Sequence, residues 1–366
     1  LKAYQVTHNP SFLDAARDAA VALIKGQNEL GGWEHKIYFD RPKGKRVSFD
    51  DNQTQSAISF LMALDQEIDD PQLTRAVEDA LQMMMHTQLD NGGWPHQYPT
   101  QGNYHDFATF NDRGINDCIR VMLEAQTYYP NPEYRASLDR VGRFLLISQL
   151  PPPQPGWAQQ YNEYLQPAWA RSFEPPSVCP LVTVHNIQSL LDLYDYSQDR
   201  KYLEPITDAI RWLWQSRLPN GKWGRFLEMG TNKALYYDRD RIRVDKMEDL
   251  SLERRTGYGY EVDLYDRLKE VEFKFTTIMQ VLKEKKELAK DTGLKQDMVT
   301  KFMIENVKEI IESLDDRGRW IVKNDQFRKD DPGYNWNGVY RYEDRISSAL
   351  FNRNVGILCE FLIKNK

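Results

Sequence analysis

The sequence predicts a mainly α fold, an (α/α)-toroid of αα-hairpin repeats with a smaller irregular, partly β region. Three observations support this prediction. A tryptophan-containing turn recurs along the chain, helical patterns fill the stretches between the turns, and the helical period is lost over residues 224–260. Self-similarity at a regular period is typical of repeat architectures, in which neighbouring units bury their apolar faces on one another.

The recurring turn follows a helix-like segment and ends in Gly-Gly-Trp or a similar sequence. Its tryptophans are spaced by 61, 63, 66 and 97 residues, and they are Trp33, Trp94, Trp157, Trp223 and Trp320. The stretches between them place apolar residues at i, i+3, i+4 and i+7, which predicts amphipathic helices. These helices are expected over Ala15–Ile24, Thr54–Leu64, Thr74–Met85, Asn116–Tyr128, Tyr134–Leu146, Thr183–Tyr196 and Tyr202–Trp214. Each repeat therefore holds two helices, and the unit is an αα-hairpin.

The pattern divides the chain into four segments. Residues 1–223 carry the toroid repeats, and residues 224–260 form an irregular, Arg-rich segment expected to bind substrate. Residues 261–300 are an inserted, charged helix pair whose charge run predicts a solvated face. Residues 301–366 are expected to supply C-terminal helices that complete the toroid.

Composition excludes several classes of protein. The 366 residues carry a formal net charge of −6, which gives no bulk attraction to nucleic acid. No run of 18 apolar residues occurs, so no membrane span is expected. The three cysteines are far apart and odd in number, and the six histidines lack ligand spacing, so neither a disulfide framework nor a zinc site is predicted.

Two acidic positions follow the repeat. Asp51 and Asp112 each stand just before a predicted helix and are 61 residues apart, the same spacing as the first two turn tryptophans. One interpretation is N-capping, which Asp and Asn perform well. The other is a paired oxygen site, because each Asp has an amide neighbour, Asn52 or Asn111, and calcium prefers such oxygen ligands.

Arginines concentrate in the later loops. Arg171 lies between aromatic residues and prolines, where it either pairs with Glu174 to hold its loop or meets an anionic ligand. A second group comprises Arg239, Arg241, Arg243, Arg254 and Arg255. Arg forks bind carboxylates in a bidentate manner. The same side chains have acidic neighbours at Asp240, Asp245, Glu248 and Asp249, so local ion pairs are the alternative.

Six motifs in order resemble the pectate lyases of polysaccharide lyase family 10. They are Asp51-Asn52-x-Thr54, Gly92-Gly93-Trp94-Pro95-x-x-Tyr98-Pro99, Thr109-Phe110-Asn111-Asp112, Pro155-Gly156-Trp157-Ala158-Gln159-Gln160-Tyr161, Trp169-Ala170-Arg171-x-Phe173-Glu174-Pro175-Pro176 and Glu253-Arg254-Arg255-Thr256-Gly257-Tyr258. The resemblance extends from about Gln27 to the C-terminus, apart from the insertion. The sequence departs from the family pattern at Arg113, where a small or acidic residue is expected, at His96, and after Ser177.

The resemblance implies a calcium-dependent enzyme that cleaves polygalacturonate by β-elimination and leaves 4,5-unsaturated oligogalacturonides. It implies Arg171 as the catalytic base, and Asp112 and Asp51 as ligands of Ca²⁺. It further implies substrate-binding roles for Asn52, Asn111, Arg241, Arg254, Arg255 and Tyr258. Because the polymer lies outside cells, we expect a secreted or periplasmic protein, although LKAYQVTHNP holds no signal-peptide core, and we expect a monomer.

The chemistry sets a condition on the base. Free Arg stays protonated to above pH 12, so a neutral Arg171 must be favoured by nearby cations. We expect calcium and the arginines of residues 239–255 to lower its pKa, and the activity optimum to be alkaline.

Three alternatives remain open at this stage. A uronide-directed α/α-toroid glycoside hydrolase would use an Asp pair and water, without calcium. A non-catalytic pectin-binding protein would keep the arginines but show no turnover. A terpene-cyclase-like toroid would need an apolar chamber with Asp-rich motifs, which Asp50-Asp51-Asn52 matches poorly.

Overall fold

The structure is a computed structural model that describes residues 1–287, 304, 306–328 and 340–364. These residues form two compact units, one of Ala20–Leu282 and one that joins Leu1–Ala19 to Lys283–Lys366. The boundaries differ from the predicted ones, which kept residues 1–223 together. Each unit is described by itself below.

The larger unit is built from αα-hairpins, and the predicted mainly α, (α/α)-toroid class is confirmed. Its helices are α3 (Gln53–Asp65), α4 (Pro71–Thr87), α5 (Gly114–Tyr128), α6 (Pro132–Ser148), α7 (Pro180–Ser197), α8 (Ile206–Gln215) and α9 (Leu252–Gly257). It also holds the end of α2 (Pro10–Gly26), from Ala20, and α10 (Tyr265–Glu287) as far as Leu282. Helix α5 packs against α3 and α7, and each of these three also packs against its hairpin partner, α6, α4 or α8. Helices α3, α5 and α7 therefore form an inner row and α4, α6 and α8 an outer row.

The helix starts follow local sequence rules. Helices α4 and α6 begin with Asp70-Pro71 and Asn131-Pro132, in which the first side chain accepts hydrogen bonds from the first turn. Proline suits the first helical position because its missing N–H would have had no partner there. The inner helices contribute a row of fully buried apolar residues, among them Ile58, Leu61 and Ile119.

The turn tryptophans play the same part in every repeat. The indole N–H groups of Trp33, Trp94, Trp157 and Trp223 donate to carbonyls in the last turn of the helix before each of them, at 2.6–2.9 Å. These carbonyls have no partner inside the helix. Trp320 repeats the bond to the carbonyl of Ile310 at 2.8 Å. Each of these tryptophans thus bonds to the end of the helix that precedes its turn.

The segments that lead from the turns to the inner helices are irregular. They pair through two-residue antiparallel ladders, β1 (Val47–Ser48) with β2 (Gln97–Tyr98) and β3 (Ala108–Thr109) with β4 (Gln160–Tyr161). In the region that lost the helical period, β5 (Trp223–Gly224) pairs with β8 (Glu261–Val262) and β6 (Tyr236–Tyr237) with β7 (Arg243–Val244). These ladders hold the loops that enter the inner helices.

Helix α10 differs from the predicted solvated insertion. Leu268, Val271 and Phe275 are buried along one face, so part of this charged helix belongs to the core. The predicted break at ELAKDTGL falls mostly outside the described residues.

The smaller unit contains α1 (Lys2–Thr7), α11 (residues 306–312), α12 (Ser348–Lys364) and an antiparallel hairpin of β9 (Ile321–Arg328) and β10 (Tyr340–Ile346). The hairpin corrects the expectation that residues 301–366 supply helices alone. That these residues complete the toroid stays a prediction. Among the described residues, no helix combines the length and apolar character of a membrane span.

Candidate active site

A cavity of about 400 Å³ lies where the irregular segments meet the first turns of the inner helices. It is lined by Asp51, Asn52, Phe110, Asn111, Asp112, Arg113, Asp117, Gln159, Cys179, Leu181, Val182, His185, Arg225 and Arg267. The two acids singled out by their spacing in the sequence therefore share one cavity, together with both of their amide neighbours.

Two identical backbone turns carry these acids. Asp51 and Asn52 adopt left-handed φ values of 51° and 57°, and Asp112 and Arg113, 61 positions later, adopt 43° and 67°. Such conformations cost of order 1–3 kcal/mol each for non-glycine residues and concentrate at functional sites. The side chains of the N-cap residues, Asn52 and Arg113, make no capping hydrogen bond. Neither acid is the cap, so N-capping does not account for Asp51 or Asp112.

The acids repel one another. Burial, together with the charges of Asp112 and Asp51, raises the pKa of Asp50 to about 6. Burial and the charge of Asp51 also raise the pKa of Asp112, and the nearby Arg225 and Arg171 offset only part of this rise. Carboxylates that raise one another's pKa favour the binding of a cation.

The amides beside the acids are differently engaged. Asn111 is 6% exposed, its Nδ2 donates to Asp112 Oδ2 at 2.7 Å, and its Oδ1 is buried without a hydrogen-bond partner in the described part of the chain. Asn52 instead accepts a hydrogen bond from Arg120 at 3.0 Å through its Oδ1. Asn111 therefore has an available oxygen at the cavity, whereas the oxygen of Asn52 is already satisfied.

Calcium fits this donor set. The cavity offers the carboxylates of Asp51 and Asp112 and the amide oxygen of Asn111, which has no partner among the described residues, and hard cations take such ligands. The third carboxylate in the lining, that of Asp117, is already paired with Arg113 and Arg120. A second cluster, His35, Asp50 and Asp51, brings its candidate ligand atoms within 4.8 Å of one another. A ring nitrogen suits transition metals better than calcium. For Ca²⁺ the group of Asp51, Asn111 and Asp112 is the better match.

Arg225 lines the cavity and was missed by sequence reasoning. Its guanidinium lies 4.5 Å from the ring centre of Tyr258, and its charge acts on Asp112. It is the second residue after Trp223. The equivalent residues of the earlier turns are His35, His96 and Gln159, of which His35 lies 3.8 Å from both Asp50 and Asp51 and Gln159 also lines the cavity. Alignment of the repeats on their tryptophans could therefore have identified Arg225, because it stands at the same position as two other residues near the acids.

His96, which departs from the family pattern, has a structural role. It is 3% exposed and its ring shares a hydrogen bond of 2.9 Å with Gln160 Oε1. Burial lowers its pKa to about 4, so it is neutral at physiological pH.

Arg171 lies beside the cavity, close enough for its charge to act on Asp112 and Asp50. Its Nε and Nη2 donate to the two carboxylate oxygens of Glu174 at 2.8 and 2.6 Å. The Tyr258 hydroxyl donates to the same carboxylate at 2.6 Å. Glu174 is only 2% exposed. The ion pair that the sequence left as an alternative is therefore present.

This pair overturns the expectation that neighbouring cations lower the pKa of Arg171. Burial alone would lower that pKa, but the hydrogen bonds and charge of Glu174 outweigh it, and the pKa is raised above the ordinary value. Burial would likewise raise the pKa of Glu174, yet Arg171 and Tyr258 bring it down to about 2. The physical reason is distance: the carboxylate touches the guanidinium, and the arginines of residues 239–255 do not.

The arginines of residues 239–255 have separate roles. Arg239 pairs with Glu253 at 2.8 Å and Arg243 with Glu228 at 2.9 Å. Arg241 has no such ion pair with any described residue. It lies over the Trp169 ring at 4.7 Å, and its backbone N–H donates to Ser172, next to Arg171. Of these three arginines, Arg241 is therefore the best placed to offer its charge to a ligand near the Arg171 loop.

Two predicted substrate contacts are not supported by their positions. Arg254 is 6% exposed and stacks its guanidinium 4.0 Å from the Phe173 ring centre, so it packs against the loop that carries Arg171. Arg255 is exposed, donates to the carbonyl of Glu248 at 3.0 Å, and is not among the residues that line the cavity. Tyr258, the third predicted contact from this motif, commits its hydroxyl to Glu174.

Comparison with known proteins identifies the family. The pectic acid lyase family model matches residues 39–181 and 220–268, more than half of the chain. No curated protein matches the chain. A variant of the family 10 polysaccharide lyase from Cellvibrio cellulosa in complex with trigalacturonic acid has a TM-score of 0.61 and 21% identity, covering 72% of this chain and 95% of that one.

A second structure of the family 10 polysaccharide lyase from Cellvibrio cellulosa gives a TM-score of 0.60 and 22% identity, over 72% of this chain and 94% of that one. These two structures share the fold of this protein. Because the family model matches more than half of its residues, this chain belongs to the pectic acid lyase family, the pectate lyases of polysaccharide lyase family 10.

Proposed function

We propose that this enzyme cleaves α-1,4-polygalacturonate by calcium-assisted β-elimination. The observation that carries the proposal is the cavity in which Asp51, Asp112 and the unpartnered oxygen of Asn111 meet the guanidinium of Arg225. The cavity therefore offers carboxylates that can hold a cation and a guanidinium that can hold a substrate carboxylate. Cleavage of an acidic polymer requires both.

The substrate class follows from charge and family. A similar structure contains trigalacturonic acid, and oligogalacturonides carry one carboxylate on each sugar. Arg225 at the cavity and Arg241 beside the Arg171 loop have no carboxylate partner among the described residues. Both are suited to pair with uronate carboxylates. We propose them, with Asn52 and Asn111, as the substrate-binding residues.

Calcium binding is proposed for Asp112, Asp51 and Asn111. When bound there, Ca²⁺ would neutralise a uronate carboxylate and so acidify the proton on the adjacent C5. The protein residues hold the site ready for it: the two left-handed turns present both carboxylates without capping bonds, and Asn111 keeps an oxygen available.

The elimination needs a base and a path for the leaving oxygen. The C5 proton leaves, the C4–O bond breaks, a C4=C5 double bond forms, and the departing oxygen takes up a proton, so no water is consumed. We propose that Arg171 faces C5. Its Nε and Nη2 hold Glu174, and its Nη1 makes no hydrogen bond to the described part of the chain. Because Glu174 stabilises the protonated form, proton abstraction by Arg171 requires a lowered pKa in the substrate complex, and activity should rise with pH.

Location and assembly follow the substrate. Polygalacturonate lies outside cells, so we propose that the enzyme acts as a secreted or periplasmic protein. We also propose that it acts as a monomer.

The test is the near-UV absorbance of de-esterified polygalacturonate mixed with the enzyme. The proposal expects absorbance to rise with calcium and to stop on addition of a chelator. A hydrolase acting on unsaturated uronides would consume that chromophore, and a binding protein would leave it unchanged. If the chromophore still formed in the presence of chelator, the proposed lyase activity would stand and its dependence on calcium would be refuted.

A further inference from the structure

The cavity contains a second group of charged residues that the proposed chemistry does not use. Arg113, His185 and Arg267 line it along with the acids. Arg113 comes from the second left-handed turn, His185 from α7 and Arg267 from α10. Arg113 stands where the family pattern leads us to expect a small or acidic residue.

The positive charge of this group is incompletely balanced. Arg267 forms no ion pair with a carboxylate of the described chain, and its Nη1 lies 3.4 Å from His185 Nε2. Arg113 reaches Asp117 only through Nε, at 3.5 Å, and Asp117 is shared with Arg120 at the same distance. By contrast, Arg171, Arg239 and Arg243 near the site are each paired at 2.9 Å or less.

His185 orients the Arg267 guanidinium and contributes no charge. Arginine can only donate, so the Nε2 of His185 must accept from Arg267 and the ring proton must sit on Nδ1. Burial and the two arginines lower its pKa to about 3, so the ring is neutral when the enzyme works. The ring therefore orients the Arg267 fork without competing for an anion.

We propose that Arg113 and Arg267, with His185 orienting the latter, form a subsite for the carboxylate of a second uronate unit of the chain being cleaved. The inference rests on the proposed function, since it assigns an additional sugar to the same cavity. The positive charges of Arg113 and Arg267 both act on His185, and like charges near one another repel. A carboxylate bound between the two guanidinium groups would remove that repulsion and accept hydrogen bonds from both.

The experiment measures binding of saturated tetragalacturonate by calorimetry, with calcium present, on an Arg171→Ala background that prevents turnover. Arg267→Ala should weaken binding about tenfold to hundredfold, the loss expected for one charge-assisted contact. Arg113→Gly, which keeps the left-handed backbone at no cost, should have an effect of the same size. Arg211→Ala is the matched control, since Arg211 is exposed on α8 and pairs with Asp208 at 2.7 Å.

A second ligand separates charge recognition from packing. Fully methyl-esterified tetragalacturonate has no carboxylates, so its affinity should be the same whether or not Arg267→Ala is added to the background. Equal weakening for both ligands, or no difference between Arg267→Ala and Arg211→Ala, would overturn the subsite. Formation of the unsaturated product by the unsubstituted enzyme tests the proposed function separately, so with that activity intact a negative binding result removes only this inference.

Discussion

The first and second repeats use the same backbone turn at their inner-helix starts, but they surround it with different charges. At residues 50–52 the neighbours are His35, 3.8 Å from both acids, and Arg120, which occupies Asn52. At residues 111–113 the neighbours are Arg225, Arg171 and the basic side chain of Arg113 itself. The backbone repeats after 61 residues, and the side-chain environment does not.

The difference separates two tasks that a repeat unit combines. The repeat supplies geometry: two carboxylates on equivalent turns, aimed into one cavity. The residues around each turn then determine what that turn can bind. The second turn, with an unpartnered amide oxygen and flanking arginines, has the donors for a cation and for a substrate anion. The first turn is tied down by Arg120 and serves chiefly as a second acid.

The largest effect should come from Asp112→Asn. We expect kcat to fall about 10²–10³-fold, the usual loss on removing a preorganised electrostatic group, and the calcium concentration for half-maximal rate to rise. Asp51→Asn should cost less, because the amide oxygen on its turn, that of Asn52, is already occupied by Arg120 and adds no ligand for a cation. Steady-state rates across a calcium titration measure both. Folding is the control: the ionised Asp112 has a raised pKa, so its neutral replacement should not lower the melting temperature in chelator.

A larger loss for Asp51→Asn than for Asp112→Asn would reverse the assignment of tasks to the two turns.

The next prediction compares the residues two positions after the turn tryptophans. Arg225→Ala should lower kcat/KM for polygalacturonate about tenfold to hundredfold, since it removes a charge-assisted contact with a uronate carboxylate. His35→Ala, at the equivalent position of the first repeat, should change it less than about threefold because the ring faces Asp50 and Asp51. Parallel kinetics of the two variants at fixed calcium provide the measurement, and equal losses would contradict the comparison.

Much of the arrangement of the helices and of the two acids could be predicted from sequence, because the repeat is marked by large apolar residues. The predicted Thr54–Leu64 and Asn116–Tyr128 correspond to α3 and α5 within two residues at each end. The register of Asp51 with Asp112 follows from the same spacing, and both acids indeed line one cavity. Periodicity and turn chemistry are local properties, and the sequence displays them directly.

The sequence says less about roles that depend on how a side chain is oriented and on what surrounds it in the fold. Arg254 and Arg255 are adjacent in sequence, yet neighbouring positions on a helix point about 100° apart, and only Arg255 reaches solvent. The β9–β10 hairpin was missed because β10 is exposed along its whole length, so it has no apolar alternation. The sequence offered the Arg171–Glu174 pair as an alternative, but it did not show that the contact is bidentate and that Glu174 is buried, on which the raised pKa of Arg171 depends.

A third prediction addresses Arg171, the cation beside the second turn. Glu174→Gln removes the charge that raises its pKa, so if Arg171 is the base the pH profile of kcat should move to lower pH. We expect kcat itself to fall about tenfold as the guanidinium loses its bidentate partner. Tyr258→Phe is the control, since it removes a hydrogen bond to Glu174 and leaves the charge. An unshifted profile in the Gln variant would make Arg171 a clamp for substrate.

The same variant carries a stability prediction with a defined pH window. The folded pKa of Glu174 is lowered to about 2, so its ionised form stabilises the fold above the unfolded pKa near 4.5 and loses that contribution as pH falls towards 2. Glu174→Gln should therefore cost about 1–3 kcal/mol at pH 7, less than a fully buried pair because Arg171 is 44% exposed. Urea unfolding at pH 7 and pH 3 measures it, and an equal cost at both would show that the loss is one of packing.

The smallest effect concerns His185, which lines the same cavity as Arg113 of the second turn and on which the charge of Arg113 acts. Its folded pKa is lowered to about 3, so the unfolded chain binds a proton that the folded chain refuses, and the fold loses stability as pH falls from 6.5 towards 3. His185→Gln keeps an acceptor for Arg267 and removes the titration. At pH 7.5 the two proteins should differ only by packing, and by pH 4.5 the variant should gain about 1–3 kcal/mol relative to the parent. Melting temperatures across this range provide the measurement. A difference that stays constant with pH would mean that the pKa of His185 is the same in the folded and the unfolded chain, so that the fold does not disfavour the protonated ring.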